Sequence, residues 1–205
     1  MPSFSSLVVT ALLSAPPAAA SETPQYVLQV GERSYEVTNG KPLTITTPKG
    51  ERVELVLTAL EERRWSGDGI QLRYPSAMQL TREESDGLVT LTFEATNSAL
   101  AILQLYPRGV SSRSVQQALE QALVSEFVAR GAKVSLEDGQ PVSRKIGGQE
   151  LKGSRYEFRF AGESFVAEIC SGSHKRRVFG LLLQSSAEDQ PKARAWFETI
   201  LTSLR

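Results

Sequence analysis

From Tyr26 onward the chain alternates apolar and polar residues in short runs. Tyr26 to Val30, Ser34 to Val37, Leu43 to Thr46 and Val53 to Leu57 repeat with a period of two. Gly31-Glu32, Asn39-Gly40 and Pro48-Lys49-Gly50 separate them. Period-two runs bounded by Gly, Asn and Pro predict strands joined by tight turns. A region of about 40 residues is marginal as an independent fold. It either docks as a small unit on the C-terminal remainder of the chain or adds hairpins to the main sheet. Glu61-Glu62-Arg63-Arg64 breaks the pattern with charge, and Gly67 and Gly69 come close behind. This stretch reads as a solvated linker, with a β-hairpin region at 21–64 and a main domain at 65–205.

The main domain opens with the alternating strand Ile70 to Tyr74, stopped by Pro75. Leu88 to Ala95 and Leu100 to Tyr106 read as strands, the second apolar enough for the middle of a sheet. The period then changes. Val115, Ala118, Leu119, Ala122, Leu123 and Phe127 recur at three and four, which predicts an amphipathic helix capped by Ser112 or Ser114 and stopped at Gly131. Strands return at Val142 to Ile146, Leu151 to Phe160, Ser164 to Cys170 and Val178 to Ser185, with turns at Gly147-Gly148, Ala161-Gly162-Glu163 and Gly172-Ser173-His174. Tyr156, Phe158 and Phe160 share one face of their strand, opposite Arg155, Glu157 and Arg159. Pro191 opens a last helix with Ala193, Trp196, Phe197, Ile200, Leu201 and Leu204 on one stripe, and Glu188 and Asp189 suit its N-terminus. Three strands, a helix, about four antiparallel strands and a closing helix make an α+β layered sandwich.

The N-terminus carries an address. Met1 to Ala20 holds no charged side chain, and its apolar run Leu7 to Leu13 is followed by Pro16-Pro17 and Ala18-Ala19-Ala20. A short apolar helix, a proline stop and small residues at Ala18 and Ala20 match a signal peptide cleaved after Ala20, although no Lys or Arg precedes the run. A seven-residue run cannot span a bilayer, which takes about 20 apolar residues. The expected product is exported, periplasmic or extracellular, and soluble, with no stable membrane anchor.

Composition narrows the functional classes. The 23 Lys and Arg balance 23 Asp and Glu, so the basic footprint of a general nucleic-acid binder is missing. One Cys excludes an internal disulfide framework and a multi-thiolate zinc site, and one His excludes sites built on two.

The order of elements, Gly69-Ile70-Gln71-Leu72-Arg73-Tyr74-Pro75 near the start and Ala195 to Leu204 at the end together resemble the PsbP-like superfamily, including its exported bacterial members of the DcrB and LpqN kind. The resemblance covers about 67–205. It departs after Tyr74-Pro75, where the family usually carries a Trp and this chain has Ala77-Met78. It implies an antiparallel sheet sandwiched between helices, preceded here by the small β-hairpin region. Its members mostly dock on other proteins, and both motifs are structural, so the fold names no chemistry.

Candidate chemical groups are few. His174 could act as a general base in a hydrolase, but Lys175, Arg176 and Arg177 beside it disfavour protonation, and an exposed basic hairpin turn is the plainer reading. Cys170 at the end of a strand reads as a small buried hydrophobe. Glu83, Glu84 and Asp86 match no calcium loop and read as a solvated turn. Ser98, Ser112 and Ser186 lack the G-x-S-x-G elbow, and no glycine pair has Walker or dinucleotide spacing. No cofactor is expected. Trp65 either pins the hairpins to the sandwich or faces a partner. The expected function is non-enzymatic: an exported accessory protein docking on an unidentified envelope protein or complex, with Trp65, His174, Lys175, Arg176 and Arg177 as the candidate surface. The alternative is a carrier of a small apolar ligand between sheet and helix. In that case Tyr156, Phe158 and Phe160 would line a pocket of several hundred Å3, unless they are core beneath the Trp196 helix.

Overall fold

A computed structural model describes residues 25–30, 32–38, 40–47, 49–134, 139–146, 148–174 and 177–205. The expected signal peptide lies outside the described residues. The chain divides into two compact units, one within Pro17–Glu61 and the other spanning Glu62–Arg205.

The first unit is two separate antiparallel ribbons. β1 (Gln25–Val30) pairs with β2 (Arg33–Thr38), and β3 (Pro42–Thr46) with β4 (Arg52–Val56). Gly40 takes φ +74° in the connection between the ribbons and donates its N–H to the Leu57 carbonyl at 2.8 Å. Among its described residues only Val37 and Ile45 are buried apolar side chains.

The second unit begins with a hairpin, β5 (Glu62–Gly67) and β6 (Ile70–Pro75). Then come β7 (Met78–Ser85), β8 (Leu88–Ala95), β9 (Leu100–Leu105) and helix α1 (Ser112–Ala129). Five more strands come next: β10 (Lys133–Val134), β11 (Gln140–Ile146), β12 (Gln149–Phe160), β13 (Glu163–His174) and β14 (Arg177–Ser186). Helix α2 (Gln190–Ser203) closes the fold. The eight strands from β7 onward form one antiparallel sheet in the order β10-β12-β13-β14-β9-β8-β7, with β11 also paired to β12. The α+β class and the helix–sheet–helix layering expected from the sequence are therefore present.

Alternation assigns each strand's side chains to the two faces. Val89, Leu91, Phe93, Leu103, Leu181 and Leu183 pack on one side against Ile70, Leu72 and Tyr74 of β6 and Ala193, Phe197 and Ile200 of α2. Leu100, Ile102, Phe158, Phe165, Ile169 and Leu182 pack on the other against Val115, Leu119, Leu123 and Phe127 of α1. β9 lies between both layers, and all six of its residues are buried. Gly180 lets α1 come down onto β14: a Cβ there would sit 2.5 Å from Leu119 Cδ1.

The helix ends are defined locally. Ser111 caps α1, its Oγ accepting the Ser114 N–H at 3.1 Å. At the other end Gly131 has φ +83°, and the N–H groups of Gly131 and Ala132 reach the carbonyls of Val128 and Phe127 at 2.9 Å. That is a Schellman closure, which a glycine in the left-handed region allows. α2 begins at Asp189 with Pro191 in its first turn and no side-chain cap bond. The Asp189 carboxylate instead accepts from the hydroxyls of Ser98 and Ser186 at 3.0 and 3.1 Å.

Four sequence expectations change. The solvated linker is strand β5, with Asp68 and Gly69 as its turn at φ 52° and 80°. Positive φ at both turn residues is the hairpin geometry that Asp-Gly favours. The cap of α1 is Ser111 rather than Ser112 or Ser114. Gly172-Ser173-His174 continues strand β13, because Gly172 makes room in the sheet: a Cβ there would stand 2.3 Å from Leu151 Cδ2. Within this unit the strands before α1 number five instead of three, since β5 reads as linker and polar β7 gives no alternating signal.

Candidate functional site

The expected partner residues have distinct positions. Trp65 lies in β5 opposite Leu72 and packs half-buried on the apolar layer beneath α2 and β6. His174 is the last residue of β13, its backbone paired with Arg177. Lys175 and Arg176 lie outside the described residues. The Arg177 Nη1 donates to the Asp68 carbonyl at 2.7 Å, so Arg177 is engaged at the β5–β6 turn three residues from Trp65.

That turn is held by charge. Arg82 of β7 clasps Asp68 with two bonds, Nε to Oδ2 at 2.9 Å and Nη2 to Oδ1 at 2.8 Å, and also reaches Glu84 Oε2 at 2.7 Å. Two parallel N–H donors on one carboxylate fix direction as well as distance. The Arg82 guanidinium holds the Asp68 carboxyl below its ordinary value of 3.8. At the other end of the hairpin, Ser203 Oγ of α2 accepts the Arg73 N–H at 2.7 Å. Gln71 and Arg205 exchange backbone bonds at 2.9 and 3.1 Å.

A cluster that the sequence reading did not single out lies on the α2 side of the sheet. Glu168 of β13 has a side chain only 9% exposed, and Arg144 of β11 binds both its oxygens at 2.7 and 2.5 Å. Arg155 of β12 stands 3.9 Å from Glu168 and 3.2 Å from Glu157. A lone carboxylate would be costly there, and the bidentate arginine offsets that cost. Arg144, Arg155 and Glu168, with Gln190, Arg194 and Glu198 of α2, line a cleft of about 40 Å3. That is room for about one water, far below the several hundred Å3 of a ligand pocket. Its three arginines face two glutamates, and Glu168 already occupies Arg144. A signal existed in Glu168, a charged residue inside an otherwise apolar strand, but its arginine lies two strands away.

The aromatic row is packed. Phe158 stacks on Phe127 of α1 at 4.0 Å between centroids, and Tyr156 lies 6.1 Å from Phe158. The helix above the row is α1 and not the Trp196 helix, because Tyr156, Phe158 and Phe160 point to the opposite face from α2. Cys170 is fully buried, as expected, and burial pushes its thiol up to about 12. It stays protonated at neutral pH, so it is no nucleophile. Glu83 and Glu84 belong to β7, and Asp86-Gly87 is its turn. Among the described residues no three His, Cys, Asp or Glu side chains are placed to hold a metal ion.

Exposed apolar side chains are unevenly distributed. Among the described residues the large ones are Val27 (72% exposed), Val30, Val56, Leu60 (75%) and Val128, and four of these five belong to the small Pro17–Glu61 unit. No described helix is long and apolar enough to cross a membrane.

No known family profile matches the chain, and no curated protein does. Solved structures do. The solution structure of cyanobacterial PsbP from Synechocystis sp. PCC 6803 is 13% identical over 71% of this chain and 92% of that one, with a TM-score of 0.44. The crystal structure of LpqN, involved in cell envelope biogenesis of Mycobacterium tuberculosis, is 15% identical over 70% and 88%, with a TM-score of 0.41. A crystal structure from Bacteroides thetaiotaomicron VPI-5482 is 12% identical over 71% of this chain, with a TM-score of 0.44, and the chain spans 48% of that protein's length.

Proposed function

We propose that the protein is an exported, non-enzymatic accessory protein that docks on an envelope protein or complex through its hairpin unit. The observation that carries this is the placement of Val27, Val30, Val56 and Leu60 in solvent, on a unit with only two buried apolar side chains among its described residues. Apolar side chains left exposed on one small element are surface that a partner could bury. Export rests on the apolar run, the proline stop and the small residues of the first twenty positions. The docking reading is favoured over the carrier because the aromatic row is filled by Phe127 and the cleft beside α2 is too small for such a ligand.

The test uses the chain in its own cells. A photo-crosslinking residue at Leu60 is expected to give a discrete adduct with an envelope protein, and one at Val128 on α1 is not. Equal adducts at both positions, or none at Leu60, would overturn the docking. The mass of the recovered chain checks export separately: cleavage after Ala20 supports it, and an unprocessed chain sinks it.

A further inference from the structure

We propose that the cleft between α2 and the sheet is a carboxylate subsite: Arg194, Arg155 and the Ser185 hydroxyl bind one carboxylate group of an aliphatic acid. Arg144 and Glu168 display the chemistry at the same place, since a guanidinium there already holds a carboxylate by both oxygens. That pair is complete, and the groups beside it are not. Arg194 of α2 lines the cleft with no ion pair or hydrogen bond among the described residues. Gln190, one turn before it on the same face of the helix, is equally unengaged. Arg155 stands 3.9 Å from the occupied Glu168, and its hydrogen bond goes outside the cleft lining to Glu157, whose side chain is 45% exposed. An ion pair so open to water is worth little and yields to a competing anion.

Ser185 makes the site more than a surface patch of charge. It follows Leu183 by two residues on β14, so it faces α2, and it is only 3% exposed. Its hydroxyl makes no hydrogen bond among the described residues, although buried polar groups normally find a partner. A ligand oxygen in the cleft supplies the acceptor it lacks. Val166, Leu183, Phe197 and Leu201 form apolar walls, and such surroundings strengthen charge-assisted bonds. Charge and size select the occupant. Three arginines and two glutamates in the lining leave a surplus of one positive charge, which a monoanion cancels. A phosphate dianion would overshoot that surplus in front of Glu168 and Glu198, where like charges are costly. A space of about 40 Å3 admits the head group of an acid and excludes a whole drug-sized ligand.

The subsite belongs to the sandwich unit, while the docking surface is tested at Leu60, so either can fail alone. Titration of the full chain with propionate, followed by amide NMR, is expected to shift the Ser185, Gln190 and Arg194 signals saturably, with a Kd of about 1–10 mM. Propionamide, the same shape without charge, should bind at least about tenfold more weakly. Arg194 is exposed, so Arg194→Gln should fold as the parent does and weaken propionate about tenfold. Lys192→Gln removes the same charge from the same helix. Lys192 stands over the Trp196 ring, 4.9 Å from its centroid, and does not line the cleft, so this variant should bind propionate like the parent. The blocked peptide acetyl-Gly-Glu-Gly-amide distinguishes the sources of the carboxylate. Tighter binding than propionate supports the subsite with a protein's acidic side chain as occupant, and weaker binding supports it with a free small acid. No saturable shift up to about 100 mM propionate, equal losses in Arg194→Gln and Lys192→Gln, or inorganic phosphate binding more tightly than propionate would each overturn the proposal.

Discussion

The two units of this chain use the same local material and dispose of it differently. In both, apolar residues alternate along antiparallel strands joined by glycine turns. In the Glu62–Arg205 unit a helix and a hairpin cover one face of a broad sheet and a second helix covers the other, so β9 buries all six of its residues. In the Pro17–Glu61 unit the strands stop at two ribbons, and most of their described apolar side chains are only partly buried. Two-stranded ribbons are marginal alone, and a sheet gains independent stability when something covers its face. Stability is therefore concentrated in the sandwich, and unsatisfied surface in the hairpins.

The largest expected effect tests the sandwich core. Phe93 is fully buried in β8, its ring 5.3 Å from that of Tyr74. Phe93→Ala should lower unfolding free energy by about 3–5 kcal/mol. Both tryptophans, Trp65 and Trp196, lie in this unit, so urea unfolding followed by tryptophan fluorescence reports on it alone. A loss under about 1 kcal/mol would mean that the layer beneath α2 is not close-packed.

Next comes the approach of α1 to the sheet. Gly180→Ala inserts a methyl group against Leu119 Cδ1 and should cost about 1–3 kcal/mol. In a Leu119→Ala background the obstructing atom is gone, so the same substitution should cost markedly less. A double-mutant cycle measures that coupling, and strict additivity would show that the two positions do not touch.

The Asp68–Arg82 clasp should have a pH signature. Arg82 holds the Asp68 carboxyl below 3.8, so in this range the unfolded chain binds more protons than the folded one. The clasp's contribution is fully present above the unfolded value and disappears as pH falls through the lower folded value. Asp68→Asn should therefore be less stable than the parent near neutrality, and the two should converge as acid takes the pH through the lowered folded value. A stability difference that stays constant with pH would remove the carboxylate from the account.

Much of this fold was legible because period reports burial. The alternation from Ile70 to Tyr74, the apolar run of β9 and the stripes of α1 and α2 all signal which side meets the core. Illegible elements failed for identifiable reasons. β7 lies at the sheet edge with polar residues on both faces, so it carries no period. β5 was hidden by Arg63 and Arg64, though Asp68-Gly69 was a usable hairpin sign. Gly172 resembles a turn residue until its space is seen to belong to Leu151. The Arg144–Glu168 pair depends on strand order, which periodicity does not encode. The uneven exposure of the hairpin unit also needed three dimensions, since Val27 and Val37 are alike in sequence pattern and opposite in burial.

The smallest expected effect is the one that separates folding from docking. Leu60 is 75% exposed, so Leu60→Ser removes few packing contacts and should change stability by no more than about 0.5 kcal/mol. Amide exchange is the suitable readout, because the hairpin unit lacks tryptophan. Its ribbons should exchange through openings well below the global unfolding energy, whereas the amides of β8, β9 and β14 should wait for global unfolding. Leu60→Ser should leave both patterns unchanged while abolishing the proposed docking. If it instead accelerates exchange across β3 and β4, Leu60 supports the ribbon. Its exposure would then be no measure of a surface kept for another protein.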